Sequence, residues 1–102
     1  MKVRIKKQNE LLTVYLCGEL DHHTAEPVRE IIDEEIAKGK PKVLRLDFLE
    51  VDFMDSSGVG LVMGRYKKLR EYGGAVELCN MGQAVTRIMK LSAIEKIAKI
   101  KE

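Results

Sequence analysis

Residues 43–74 read VLRLDFLEVDFMDSSGVGLVMGRYKKLREYGG, and the junction in the middle decides the fold. Residues 43–48 alternate apolar and polar after Leu44 and are apolar enough for a largely buried strand. From Gly58 the spacing turns helical and stays so to Glu71, before Gly73-Gly74. The segment Asp55-Ser56-Ser57-Gly58 therefore lies where a strand hands over to a helix. A hydroxyl there meets unpaired backbone N–H groups and the positive end of a helix dipole. Such a place suits a helix cap and suits a phosphate equally.

Working outward, residues 3–7 alternate apolar and basic and read as a first strand. Asn9-Glu10 is a turn, and residues 12–17 are a second strand with Leu12, Val14 and Leu16 on one face. Residues 18–23 form a polar connection. Thr24 is a candidate N-cap, and Pro27 is tolerable only within a first turn. Ala25, Val28, Ile32 and Ile36, with Ile31 beside them, form a helical stripe ending at Gly39. After the second helix, Ala75–Cys79 reads as a strand and Gln83–Leu91 as a short helix with Val85, Ile88 and Met89 inward. Residues 97–100 are a candidate last strand. The order β-β-α-β-α-β-α, with a possible final β, is α/β, or equally α+β: a small mixed sheet with helices packed against it. Its strands are parallel through right-handed crossovers, and the N-terminal hairpin adds an antiparallel edge.

The 102 residues predict one domain, 1–102, able to bury a core without metal or disulfide staples. The apolar share of 45% and charged share of 33% are those of an ordinary globular chain. With 18 basic and 16 acidic residues interspersed, no concentrated basic face for nucleic acid is expected. Cys17 and Cys79 lack metal-ligand spacing and read as two buried free thiols, which fits a reducing cytosol. No signal peptide and no run of membrane-spanning length is seen, so neither a membrane nor nucleic acid is an expected partner.

On the second helix, Val59, Val62, Tyr66 and Leu69 cluster on the side expected to pack on the sheet, with Met63 at its edge. Ser57, Gly60, Leu61, Gly64 and Lys68 fall opposite. Two glycines inside a helix cost roughly 1 kcal/mol each relative to alanine. Around an outward Leu61 they would make a flat docking surface for another protein, or they could serve close helix packing within the domain. A hydrolase nucleophile is poorly supported: glycine does not stand both two before and two after either Ser56 or Ser57. His22 and His23 read as solvent-facing or capping residues. Ser56 as a cap would be worth about 1 kcal/mol. Phosphorylation of a serine here would place nearly two negative charges on a rim already carrying Asp52, Asp55 and Asp21, blocking an acidic or close-packed partner.

Residues 18–26 (GELDHHTAE), 53–60 (FMDSSGVG) and 64–67 (GRYK) together resemble the anti-sigma factor antagonists of spore-forming bacteria, which are STAS-domain proteins. The likeness runs through almost the whole chain and is greatest to the branch that acts on sigma factor F. The serine motif marks the STAS domain and the Asp-His-His-Thr-Ala-Glu segment the branch. The resemblance implies no catalytic residue, metal or cofactor of the chain's own. It implies a cytoplasmic protein, monomeric alone, that binds an anti-sigma factor which is also an ATP-dependent serine kinase. The unphosphorylated form would release the sigma factor. Phosphorylation of Ser56 would end the binding, and a serine phosphatase would restore it. The candidate partner surface comprises Asp21, His22, His23 and Thr24 with Asp55, Ser56, Ser57, Gly58, Gly60, Leu61, Gly64 and Lys68. A stress-response antagonist with the same mechanism, or a STAS scaffold that is never phosphorylated, is the alternative.

Overall fold

The computed structural model describes residues 1–101. In chain order it holds β1 (Lys2–Gln8), β2 (Leu11–Leu20), α1 (His22–Gly39), β3 (Val43–Met54), α2 (Ser56–Arg70), β4 (Ala75–Cys79), α3 (Gln83–Leu91), a 3-10 turn (Ile94–Lys96) and β5 (Lys99–Lys101). The five strands lie side by side in sequence order. β1 pairs antiparallel with β2 through a two-residue turn, and Asn9 takes the left-handed conformation that asparagine tolerates. The remaining pairs are parallel. Each right-handed crossover moves to the next strand in the same direction, which puts all the helices on one face of the sheet.

The register makes the two faces explicit. Ile5, Val14, Leu46, Leu78 and Ile100 form one row across the sheet, against the helices. The neighbouring row, Lys6, Thr13, Arg45, Glu77 and Lys99, points the other way. Arg45 Nε donates to Glu77 Oε1 at 3.0 Å across it. The alternation of 43–48 is thus the sheet's two-sidedness written in sequence. From α1 the core takes Val28, Ile32 and Ile36; from α3 it takes Val85 and Met89.

Several expectations need correction. β2 and β3 run on through segments expected to be loop or left unassigned, because two extra residues on β3 break the alternation. Tyr15 faces Asp47 but Cys17 faces Glu50; Gly18 faces Val51 but Glu19 faces Phe53. Asp47 sits at the first irregularity, buried and fully used: it accepts from Leu49 N at 2.9 Å and Asn80 Nδ2 at 3.0 Å. α1 begins at His22, so Pro27 lies in its second turn, not its first. Ile31 is exposed. The last strand is displaced toward the C-terminus, with the 3-10 turn before it. Both cysteines are free, but only Cys79 is buried, where desolvation and nearby Asp47 push its thiol up to about 11; Cys17 is half-buried.

Candidate functional site

β2 and β3 end side by side, with Leu20 opposite Met54. Asp55 N donates to Leu20 O at 3.2 Å and locks the two exits together. Two helices therefore start next to each other, α1 after Asp21 and α2 after Asp55. Both aspartates are N-caps.

Asp21 Oδ1 accepts from His23 N at 2.9 Å and from Thr24 N at 3.1 Å. Thr24 Oγ1 accepts from Asp21 N at 3.0 Å, completing a capping box, and donates to Glu19 O at 2.8 Å. The N–H groups of Thr24 and His23 hold the Asp21 carboxyl below its usual range. Thr24 is thus the third residue of α1 rather than its cap, and its hydroxyl is committed to the chain's own backbone. His22 and His23 are exposed, their ring centroids 4.0 Å apart.

Asp55 Oδ1 accepts from Ser57 N at 2.8 Å. The capping expected of Ser56 is done by Asp55, and Ser56 becomes the first residue of α2, exposed. Ser57 is half-buried. Gly58 is buried: a Cβ there would clash with Met54 Sδ and meet Leu20 Cδ2 at 3.2 Å. It is a packing glycine, not part of an open surface. Gly60 is exposed and Gly64 half-buried, and a Cβ on either would meet nothing within 4 Å. Lys68 is exposed.

Leu61 overturns its expectation. It is 4% exposed and belongs to the core. α2 is buried along two lines, one against the sheet and one against α1. The buried set is Gly58, Val59, Leu61, Val62, Arg65 and Leu69, so the buried arc is rotated by less than one residue's step from the expected one. Tyr66 slips to half-buried, and Met63, 40% exposed, joins Ser56, Gly60 and Lys67 on the outer face. Arg65 is the residue the sequence reading missed. It meets Asp33 of α1, Nε to Oδ1 at 2.9 Å, in the helix–helix contact. Its only signal was its position one turn after Leu61.

Between the N-terminal halves of α1 and α2 lies a cleft of about 320 Å³, lined by His22, Glu26, Arg29, Ser57, Gly60 and Arg65, with Leu61 and Ala25 between them. Among the described residues no cluster of His, Cys, Asp or Glu could hold a metal ion, and no helix is long and apolar enough to cross a membrane.

The STAS domain model matches residues 2–102. This chain is a STAS-family protein of the anti-sigma factor antagonist branch. An anti-sigma F factor antagonist of Paenibacillus polymyxa is 36% identical over 100 residues, covering 98% of this chain and 86% of the relative. The structure of the anti-sigma factor antagonist SpoIIAA in its unphosphorylated form superposes with a TM-score of 0.86 at 31% identity, covering 99% of this chain and 89% of that one. The Bacillus cell fate determinant SpoIIAA in the phosphorylated form gives 0.78 at 30% identity, over 99% and 92%. The expected mixed sheet with helices against it is the fold that this STAS protein and SpoIIAA share.

Proposed function

We propose that this STAS protein is an anti-sigma factor antagonist switched by phosphorylation of Ser56. Its unphosphorylated form binds an anti-sigma factor that is also a serine kinase and thereby frees the sigma factor. The kinase carries the ATP; the chain supplies the acceptor hydroxyl and no catalytic group. A serine phosphatase returns it to the binding state. The relative's name favours sigma factor F. On this proposal the target is transcription in sporulation, the compartment is the cytoplasm, and the antagonist is a monomer when alone.

One observation carries this reading. Asp55 does the capping, so the Ser56 hydroxyl is free of that duty while standing exposed on the first turn of α2. A phosphate there would sit at the positive end of the helix dipole, so the fold would tolerate it. The same charge would join Asp21, Asp52 and Asp55 on the rim and repel a partner surface fitted to the neutral serine. Below Ser56 the outer face is low, because Gly60 carries no side chain, and Met63 offers an apolar contact. The proposed partner surface is accordingly Asp21, His22, His23, Asp55, Ser56, Ser57, Gly60, Gly64 and Lys68, with Met63 added. Leu61, Gly58 and Thr24 support it from within.

The test is incubation with purified anti-sigma kinases and ATP, followed by mass spectrometry and a binding assay. One phosphate on Ser56, with loss of kinase binding, is expected. Ser56→Ala should bind and accept none. Phosphate on Ser57 alone, or equal binding by the phosphorylated form, refutes the proposal.

A further inference from the structure

Arg65 is the most buried charged residue among those described, 4% exposed, and it is incompletely satisfied. Its Nε lies 2.9 Å from Asp33 Oδ1, but without hydrogen-bond alignment, and Nη1 has no hydrogen-bond partner among the described residues. Burial lowers the pKa of this guanidinium, Asp33 pulls it back up, and the neighbouring charge of Arg29 lowers it further. Asp33 is thus the one carboxylate acting on Arg65, against the like charge of Arg29. A buried N–H donor left unmade is costly, and more so when charged.

Both arginines line the cleft between α1 and α2, together with Ser57, Gly60 and His22. Glu26 also lines it and, exposed as Arg29 is, offsets part of that residue's charge, while the Arg65 guanidinium is buried. Gly60 leaves room for a ligand to approach the α2 backbone, since nothing lies within 4 Å of where its Cβ would be. Ser57 is in the first turn of α2, whose N-terminus favours negative charge. We propose that this cleft binds one phosphate group, held between Arg29 and Arg65 beside the first turn of α2. Phosphate suits it better than carboxylate. The donors arrive from two helices and a serine hydroxyl, and a tetrahedral anion offers acceptors in several directions where a carboxylate offers two in one plane. Ser56 does not line the cleft, so this site is separate from the proposed phosphoserine and does not depend on it.

The test is an NMR titration of the whole chain with sodium phosphate at ionic strength held constant by sodium chloride. O-phosphoserine forms a parallel arm for an esterified source, and acetate is the control. Saturable shifts are expected at Ser57, Gly60 and the Arg65 Nε–H. Saturation by both phosphate ligands points to the bare group; saturation by O-phosphoserine alone points to an ester and still supports the site. Arg29→Gln, on an exposed position, should fold normally and weaken binding about tenfold, the loss of one charge-assisted contact. Gly60→Ala puts a methyl group into the cleft and should weaken binding while melting no lower than the parent. Shifts that chloride or acetate reproduces, that centre on the basic residues of β1, or that survive both substitutions overturn the proposal.

Discussion

Leu61 separates two accounts of α2. In the structure its side chain is in the core beside the α1–α2 cleft, 4% exposed, one turn from the buried Arg65. Leu61→Ala should therefore remove core contacts and leave a cavity, a loss of about 2–5 kcal/mol. For a domain of this size each kcal/mol moves the melting temperature by roughly 4–8 °C, so even a mid-range loss lowers it by well over 10 °C. Leu61→Lys should be worse. Its ammonium would be desolvated close to Arg65 and Arg29, both of its own sign, in a fold with a total stability of about 5–15 kcal/mol. Thermal melting by far-ultraviolet circular dichroism, with urea unfolding for the free energy, reads both variants. A Leu61→Lys protein that melts within a few degrees of the parent and loses only partner binding would refute this account. It would mean that Leu61 faces outward and that α2 is rotated.

Three further outcomes are expected. Ser56→Asp should change stability by no more than about 0.5 kcal/mol, because the residue is exposed and Asp55 does the capping, while kinase binding falls in a calorimetric titration. Gly58→Ala should destabilise by about 1–2 kcal/mol through overpacking against Met54, whereas Gly60→Ala, with open space around it, should gain up to about 1 kcal/mol; urea unfolding of the pair checks the contrast. Asp21 has its pKa lowered in the fold, so its capping contributes above the carboxylate's unfolded value and is lost as pH falls through the folded one. The stability gap between the parent and Asp21→Ala should then be constant near neutral pH and close on acidification. A gap that persists in acid shows that the cap does not act through its charge.

Much of this was legible because burial and periodicity agree. In β4 and α3 the apolar spacing is regular and Gly73-Gly74 and Gly82 mark the edges, and both elements stand where expected. Legibility failed where a side chain's partner lies far off in sequence. The extra residues in β3 lie where β2 stays paired to Met54 while β4 has stopped opposite Asp47, and nothing local says so. Asp55 was readable as a cap from its place before the helix, but Ser56 drew that role to itself. α2 misled most. Its sequence carries apolar residues over a wide arc because it is buried against two neighbours, and an argument that assumes one buried face must assign some of them outward. Arg65 could not be read inward, since arginine in a helix half carrying Lys67, Lys68 and Arg70 is normally solvated and only Asp33 of α1 explains its burial.

The two-sided burial of α2 also bears on why the proposed Ser56 switch could stand here. Gly58, Leu61, Val62, Arg65 and Leu69 anchor the helix to the sheet and to α1, so its first turn is held by packing and by the Asp55 cap. Its outer face, with Ser56, Gly60, Met63 and Lys67, contributes little to that anchoring. A charge added at Ser56 therefore falls on a rigid support and has no core contact to break. The consequence is that the domain need not change shape to change partners. The difference in free energy between modified and unmodified forms is expressed almost wholly across the interface, where a desolvated phosphate facing a closely fitted surface is strongly unfavourable. On this account, substitutions on the buried arc alter stability and bring binding down with it. Substitutions on the outer arc alter binding without loss of stability.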